Sequence, residues 1–222
     1  MTRVVVAIDG PAGSGKSTVA RGVARELGLH TLDTGAMYRA VTLAALETGV
    51  ALDDGDALAG VARGAALELD DGIARLDGRD VSRDIRGPEV TAAVSDVSAH
   101  PQVRAVLVER QRSWVDDHAG GVVEGRDIGT VVLPDAVVKV FLTASDGERA
   151  RRRGRDEVAA ARTVDVDELQ AAMTARDRAD SSLGRALRPE DAAPDALVID
   201  TTGREPDDVV AEIVSRAIAA TR

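Results

Sequence analysis

Residues 4–27 read VVVAIDGPAGSGKSTVARGVAREL, and this stretch decides the fold. Val4 to Ile8 form a short β-branched, apolar run without polar alternation, as in a strand that is buried on both faces. From Thr18 to Leu27 the apolar residues recur with helical spacing, and Gly28 is placed to end a helix. Residues 10–17 match the pattern G-x-x-x-x-G-K-[ST] of a loop whose backbone N–H groups wrap nucleotide phosphates. We therefore predict a strand, a phosphate-binding loop and a helix.

The chemistry of this loop depends on its lysine and on the helix that follows it. Lys16 and Lys139 are the two lysines of a chain in which lysine and arginine together number 28. Lys16 would reach the β- and γ-phosphates, the helix N-terminus adds partial positive charge, and the Ser17 hydroxyl would be a ligand of Mg²⁺. The residues assigned to ATP are Gly10, Pro11, Ala12, Gly13, Ser14, Gly15, Lys16, Ser17 and Thr18.

Composition limits the classes of function. The net charge of −10 argues against a general nucleic-acid binder, and we expect no nucleic-acid or membrane partner. The chain contains no cysteine, which excludes disulfides and thiolate metal sites and is typical of a cytoplasmic protein. We expect a monomer.

The rest of the chain alternates strands and helices, apart from one interruption. Residues 64–86 contain three short strands (66–69, 73–76 and 80–82) separated by hairpin-type turns, and this segment is interpreted as an insertion. The alternating pattern predicts a three-layer α/β fold of the P-loop NTPase type, with a five-stranded parallel sheet and a small inserted antiparallel sheet. The other core strands are expected at 30–33, 122–124, 137–142 and 196–200, and the other helices at 34–47, 56–63, 88–99, 101–117, 146–155, 165–180 and 206–219.

A few residues are given ordinary structural roles. Lys139 is expected to be a surface residue at a strand end, and Trp114 to pack on a long helix. His30, His100 and His118 are dispersed along the chain and suggest no metal cluster.

Two common classes of phosphate-loop protein are excluded by missing signatures. A GTPase needs an N-K-x-D segment to read guanine, but the chain contains no asparagine. A motor-type ATPase usually has an apolar strand ending in Asp, whereas the candidate strand here ends VVEGRD (122–127). A small-molecule kinase or an ATP-dependent regulator remains. Thr34, at a predicted helix start, and Arg39 would suit an acceptor phosphate, or would be a helix cap and a surface arginine.

Four segments make the chain resemble the bacterial cytidylate kinases, which belong to the nucleoside monophosphate kinases. They are IDGPAGSGK (8–16), DTGAMYR (33–39), EGRDIGTVV (124–132) and FLTAS (141–145). The resemblance spans nearly the whole chain. It implies transfer of the γ-phosphoryl group of ATP, with Mg²⁺, to CMP or dCMP, giving ADP and CDP or dCDP. The alternatives are a kinase for UMP or a phosphate-free metabolite and, in a different class, an ATP-binding regulator.

The resemblance also implies a set of site residues. Thr34, Arg39 and Arg126 would hold the acceptor phosphate. Ser95, Arg104 and Asp127 would read cytosine, with Asp127 accepting from the 4-amino group. The substrate-binding residues implied in this way are Asp33, Thr34, Arg39, Ser95, Arg104, Arg126, Asp127, Arg176 and Asp180.

A short arginine-rich segment, ERARRR (148–153), resembles the lid that closes on ATP. At helical spacing Arg149, Arg152 and Arg153 share a face and would meet the phosphates; otherwise the segment is a solvated basic stretch. The catalytic residues implied are Lys16, Arg126, Arg149 and Arg153.

The chain departs from the family after Asp180. The family has an arginine three residues later, where this chain has Leu183. Arg185 is the expected replacement in the substrate site, because Gly184 permits a bend. Arg188, just before Pro189, is expected to serve the surface.

The resemblance divides the single domain (1–222) into three regions. The core comprises residues 1–33, 119–145 and 184–222. The monophosphate-binding region with its insertion comprises 34–118, and the short lid 146–165.

Overall fold

The computed structural model describes residues 3–70, 72–159 and 188–221. Short apolar runs form the strands, and amphipathic segments bounded by glycine or proline form the helices. The strands in these ranges are β1 (Val4–Asp9), β2 (Thr31–Asp33), β3 (Leu67–Asp70), β4 (Ile73–Leu76), β5 (Arg79–Asp80), β6 (Gly120–Gly125), β7 (Val138–Thr143) and β8 (Leu197–Asp200). The helices are α1 (Lys16–Leu27), α2 (Thr34–Thr48), α3 (Gly55–Gly64), α4 (Pro88–Ala99), α5 (Pro101–Asp117), α6 (Asp146–Ala159) and, numbered within the described ranges, α7 (Pro206–Ala220).

The five core strands form one parallel sheet in the order β2-β6-β1-β7-β8, which confirms the predicted sheet. β1 lies at its centre and pairs with β6 and with β7. Because parallel strands end at the same edge of a sheet, the segments after β1, β2 and β6 converge there. Asp9, Asp33 and Glu124 are the polar residues at or next to the ends of these strands.

Helices cover both faces of the sheet, giving three layers. α1 and α7 pack on one face, where Val23, Val140 and Ile213 are fully buried. The two helices lie so close that a Cβ atom at Gly22 of α1 would be 2.6 Å from Cγ2 of Val210. On the other face α2, α3 and α5 contribute Val41, Leu58 and Leu107 to a second core. None of the described helices is both long and apolar enough to cross a membrane.

The inserted sheet has the order β3-β4-β5 and is antiparallel, as predicted, but its last strand is shorter than expected. We predicted residues 80–82, whereas β5 is Arg79–Asp80. The regular pairing with β4 ends after Asp80 because a side chain replaces a backbone acceptor. Ser82 Oγ accepts from the N–H of Ala74 at 3.0 Å. The buried Val81 N–H still reaches the carbonyl of Ala74 at 2.8 Å.

Two of the ordinary structural roles need correction. Lys139 lies within β7 with a side chain only 11% exposed, since its Nζ binds Asp195 at 3.0 Å, so it is not a surface residue at a strand end. The histidines are not all dispersed, because the fold brings the end of α5 beside β2. The His30 and His118 rings are 4.9 Å apart, and His118 stacks on Trp114 at 4.2 Å. Trp114 packs against the core, as expected.

Candidate active site

The phosphate loop lies between β1 and α1, with glycines where no side chain fits. Gly10 and Gly13 have φ values of 146° and 76°. A Cβ atom would lie 2.1 Å from the Leu142 carbonyl oxygen at Gly10, and 2.8 Å from the Arg149 carbonyl oxygen at Gly13. Both the backbone conformation and the close neighbours therefore require glycine.

The loop leaves polar groups available at the start of α1. Gly15 is the N-cap residue, and no side chain among the described residues caps this helix, so its first N–H groups suit an anion. Lys16 Nζ donates to the carbonyl of Pro11 at 2.8 Å and closes the loop. Burial, and then the neighbouring Arg126, lower the pKa of Lys16 to about 8. In the rest of the loop, Pro11 and Ser14 are buried, Ala12 and Ser17 half-buried, and Thr18 exposed.

Two buried carboxyl groups beneath the loop were not among the predicted site residues. Asp9, at the end of β1, accepts from the N–H groups of Ile128 and Gly129. Glu124 hydrogen-bonds the Ser17 side chain, and burial together with Asp33 raises the pKa of Glu124 to about 7. Both residues lie at strand ends, and polarity directly after an apolar run was the signal that could have identified them.

Two parts of the fold carry Thr34, Arg39 and Arg126: the first two lie on α2, and Arg126 follows β6. Thr34 is buried and donates to the Glu124 carbonyl at 2.8 Å. Arg39 Nη1 donates to the Ile85 carbonyl at 3.0 Å and to Thr91 Oγ1 at 2.9 Å, which anchors its side chain against the turn before α4.

Arg126 lies near enough to Lys16 to affect that lysine's pKa. The phosphate loop and the predicted acceptor-phosphate arginine therefore share one site.

The cap of α2 is Asp33, which corrects the interpretation of Thr34 as a possible helix cap. Asp33 Oδ1 accepts from the N–H of Ala36 at 3.0 Å, and Thr34 is the first helical residue. Asp33 Oδ2 also lies 3.9 Å from Arg86. Asp33 is the cap because it precedes the first helical residue and its carboxylate reaches the Ala36 N–H. The Thr34 hydroxyl instead donates to β6.

Arg104 and Asp127, the two charged residues expected to read the base, form an ion pair across two regions. Arg104 comes from α5 and Asp127 from the segment after β6, and their side chains are 23% and 10% exposed. Arg104 Nη1 also lies 3.5 Å from the Tyr38 hydroxyl. Ser95 lies half-buried on α4, where its carbonyl accepts from Ser98.

Arg149 and Arg152 of the predicted lid have different hydrogen-bond partners. Arg149 is buried and donates to the carbonyl of Ala12, in the phosphate loop, at 3.0 Å. Arg152 instead donates to Glu148 and to the Thr201 hydroxyl and carbonyl, at 2.7–2.9 Å. Thr201 Oγ1 in turn donates to the Ser14 carbonyl at 3.1 Å. Arg152 Nη1 would lie 3.3 Å from a Cβ atom at Gly15, so Arg152 borders the phosphate loop, and its contact with phosphates stays a prediction.

The remaining predicted residues complete the picture. Arg153 is half-buried on α6. Arg188 is 65% exposed and pairs with Glu190 and Asp191 at 3.3 Å, as expected of a surface residue. Arg176, Asp180 and Arg185 lie outside the described residues.

Known proteins are similar to this chain over most of its length. A family model described as Cytidylate kinase matches residues 6–219. The cytidylate kinase of Mycobacterium leprae (strain Br4923) is 50% identical and aligns over 96% of this chain and 95% of its own length. That of Desulfitobacterium hafniense (strain Y51) is 48% identical over 95% of this chain and 90% of its own. The chain also spans 40% of a bifunctional pantoate ligase/cytidylate kinase from a Synechococcus species, at 50% identity.

Solved structures with low identity show the fold alone. An uncharacterized protein from Eubacterium ventriosum ATCC 27560 has a TM-score of 0.57 at 14% identity, covering 98% of this chain and 99% of its own. A shikimate kinase from Acinetobacter baumannii has a TM-score of 0.50 at 16% identity, covering 98% of this chain and 94% of its own.

Proposed function

The chain belongs to the cytidylate kinase family, and we propose which of its residues carry out the reaction. It is a nucleoside monophosphate kinase that transfers the γ-phosphoryl group of ATP to CMP or dCMP. One observation carries the assignment of residues. The charge of Arg126 lowers the pKa of Lys16 in the phosphate loop, while the next residue, Asp127, binds Arg104. Lys16 would hold the donor's phosphates, and Arg126 would hold the acceptor's phosphate. The Arg104–Asp127 pair, for the acceptor's base, comes directly after Arg126 in this arrangement.

On the donor side, the loop N–H groups and Lys16 bind the phosphates of ATP. The Ser17 hydroxyl and Glu124 would hold Mg²⁺, since both are oxygen donors of the kind that this cation prefers and they already contact each other. When bound, Mg²⁺ neutralises charge on the β- and γ-phosphates.

On the acceptor side, Thr34, Arg39 and Arg126 bind the phosphate of CMP. Asp127 accepts from the cytosine 4-amino group, and Arg104 faces the ring's acceptors with Ser95 nearby on α4. The Arg104–Asp127 ion pair supports these roles, because it places the two polar side chains next to each other. Transfer needs no covalent intermediate: the residues align the two substrates and neutralise charge.

The lid and the three-region division complete the proposal. Arg149 and Arg153 of the lid (146–165) act on the transferring phosphate, and the contact of Arg149 with the loop supports this role. Closing the lid and the region 34–118 over the core would exclude water from the ATP.

Arg176 and Asp180 face the bound nucleotides in this proposal, and Arg185 replaces the family arginine absent at Leu183. We expect Arg185→Ala to lower kcat/KM by about 10- to 100-fold, the loss of one charge-assisted contact. Arg188→Ala is the matched control, because Arg188 binds exposed carboxylates, and it should change kcat/KM little. Equal, small effects of both substitutions would remove Arg185 from the site.

We also propose that the protein acts as a cytoplasmic monomer without a nucleic-acid or membrane partner. The net charge of −10 argues against a nucleic-acid partner, and the lack of cysteine is typical of the cytoplasm. Light scattering at micromolar concentration would measure the mass, and a value near twice 23.1 kDa would contradict the monomer.

A coupled assay of ADP release tests the reaction and its acceptor together. ATP is supplied with CMP, dCMP, UMP, AMP or no acceptor, and the fastest turnover is expected with CMP or dCMP. Equal turnover with AMP would contradict the assignment of the base site. ADP release that needs no acceptor would contradict the kinase assignment.

A further inference from the structure

Asp9 is a buried carboxyl group that none of the roles above uses. It ends β1 and directly precedes Gly10 of the phosphate loop, and its residue is only 6% exposed. A buried carboxylate is unfavourable unless hydrogen bonds compensate for its lost hydration. Its retention at the junction of strand and loop therefore needs a reason.

Both oxygens of Asp9 bind the segment that carries the acceptor site. Oδ1 accepts from the N–H of Ile128 at 2.7 Å, and Oδ2 accepts from the N–H of Gly129 at 2.8 Å. These residues directly follow Arg126 and Asp127. One rigid carboxylate thus joins the first residue of the phosphate loop to the segment that bears the acceptor residues.

We infer that Asp9 is a positioning residue that sets the acceptor segment 126–129 at a fixed place relative to the phosphate loop. This inference rests on the proposed function of Arg126 and Asp127. With the segment anchored, Asp127 meets the base and Arg126 meets the phosphate of an acceptor aligned with ATP. Misalignment of reacting groups by a fraction of an ångström lowers the rate of transfer, so the anchor serves specificity as well as rate.

The anchor requires a carboxylate because two N–H donors point at it. An amide of the same shape offers one oxygen and turns its NH₂ group toward the second donor, so Asp9→Asn breaks one of the two hydrogen bonds. The charged groups that face Asp9 are Lys16 from α1, Asp127 from the anchored segment and Lys139 from β7, whose side chain runs past Gly129. Burial raises the pKa of Asp9 to about 6, so the anchor is complete only above that pH.

The test compares acceptors in Asp9→Asn. We expect the KM for CMP to rise and the ratio of kcat/KM for CMP over UMP to fall, each by about tenfold, the loss of one charge-assisted hydrogen bond. The KM for ATP should change less than about twofold, since the phosphate loop keeps its own contacts. Asp54→Asn is the matched control: Asp54 accepts one N–H, that of Ala57, at an exposed helix cap, and asparagine caps equally well.

The pH dependence of the wild type gives a second measurement that does not need the variant to fold. The CMP-to-UMP ratio cancels the ionisation of the acceptor phosphate, which is common to both substrates. We expect this ratio to fall below about pH 6 in the wild type and to be flat in Asp9→Asn. A flat wild-type ratio from pH 5 to 8, or a variant that keeps the wild-type ratio, would overturn the role of Asp9. A wild type that does not prefer CMP to UMP would overturn the proposed acceptor site, and this inference with it.

Discussion

Lys16, the first residue of α1, and Lys139, within β7, show how differently one residue type is used in the same fold. Lys16 is held by a carbonyl of the phosphate loop, with its positive charge opposed by burial and by Arg126. Lys139 is balanced by the carboxylate of Asp195. Lys16 is therefore suited to bind an anionic ligand, whereas Lys139 forms a structural ion pair.

Replacing each lysine by arginine should separate these roles. We expect Lys16→Arg to lower kcat by about 100-fold, because a planar guanidinium does not fit a cradle built for an ammonium group. Lys139→Arg should keep wild-type kcat, since arginine binds a carboxylate at least as well. Initial rates with saturating ATP and CMP measure both, and near-normal turnover of Lys16→Arg would contradict the assignment of the loop.

Asp9 should also make the protein less stable as the pH rises. Its pKa is about 6 in the folded state and 3.8 ordinarily, so folding favours its protonated form. This contribution to the free energy of unfolding is complete below about pH 4 and is lost as the pH rises through 6. Glu124 acts in the same direction, so the wild type alone does not isolate Asp9.

Urea unfolding of the wild type and of Asp9→Asn at pH 5 and pH 7.5 would isolate the contribution of Asp9. We expect the loss of stability between the two pH values to be smaller in the variant. An equal loss in both proteins would mean that Asp9 titrates normally.

Among the elements, α1 and α7 form a close helix contact that depends on a glycine. Gly22→Ala gains roughly 1 kcal/mol of helix propensity, but the new methyl would lie 2.6 Å from Val210, which is itself buried. We expect overpacking to win, with a net loss of about 1–3 kcal/mol. Gly60→Ala in α3 is the matched control, since a Cβ atom there meets nothing within 4 Å, and it should stabilise by about 0.5–1 kcal/mol. Thermal unfolding measures both, and a stabilised Gly22→Ala would show that the helices move apart easily.

At the scale of the whole molecule, Arg104 and Asp127 join the region 34–118 to the core. The two residues act as one unit on the base. Arg104→Ala and Asp127→Ala should therefore each lower kcat/KM for CMP, and the loss of transition-state stabilisation should be roughly 2–4 kcal/mol. The double variant should cost at most about 1 kcal/mol more than either single one, whereas the KM for ATP stays constant. Additive losses in this double-mutant cycle would mean that the two residues serve different parts of the reaction.

The sequence predicted the elements with strong periodicity and the residues carried by long motifs. β1, α1, α4 and α5 were predicted nearly to the residue, because apolar spacing, Gly28, Pro88 and Pro101 mark them locally. Arg104 and Asp127 were predicted as base readers by resemblance, but their pairing is a tertiary contact over 23 positions.

Asp9 and Glu124 were missed because their roles come from burial and from strand neighbours distant in sequence. The misplacement of Lys139 has the same origin, since its partner Asp195 lies 56 residues away. Local sequence patterns indicate which helix or strand a segment forms. The contacts of Asp9, Glu124 and Lys139 depend instead on which strands become neighbours in the sheet.

The contacts of the phosphate loop and of α1 are completed by residues that are synthesised much later, Thr201 among them. The Ser14 carbonyl of the loop is contacted by Thr201, 187 residues later in the chain, and α1 is covered by α7, at residues 206–220. A growing chain therefore presents the apolar face of α1 without its partner until residues 206–220 have been synthesised. Such a nascent chain is the form most exposed to aggregation and most in need of a chaperone, and chains released early should be cleared by proteolysis.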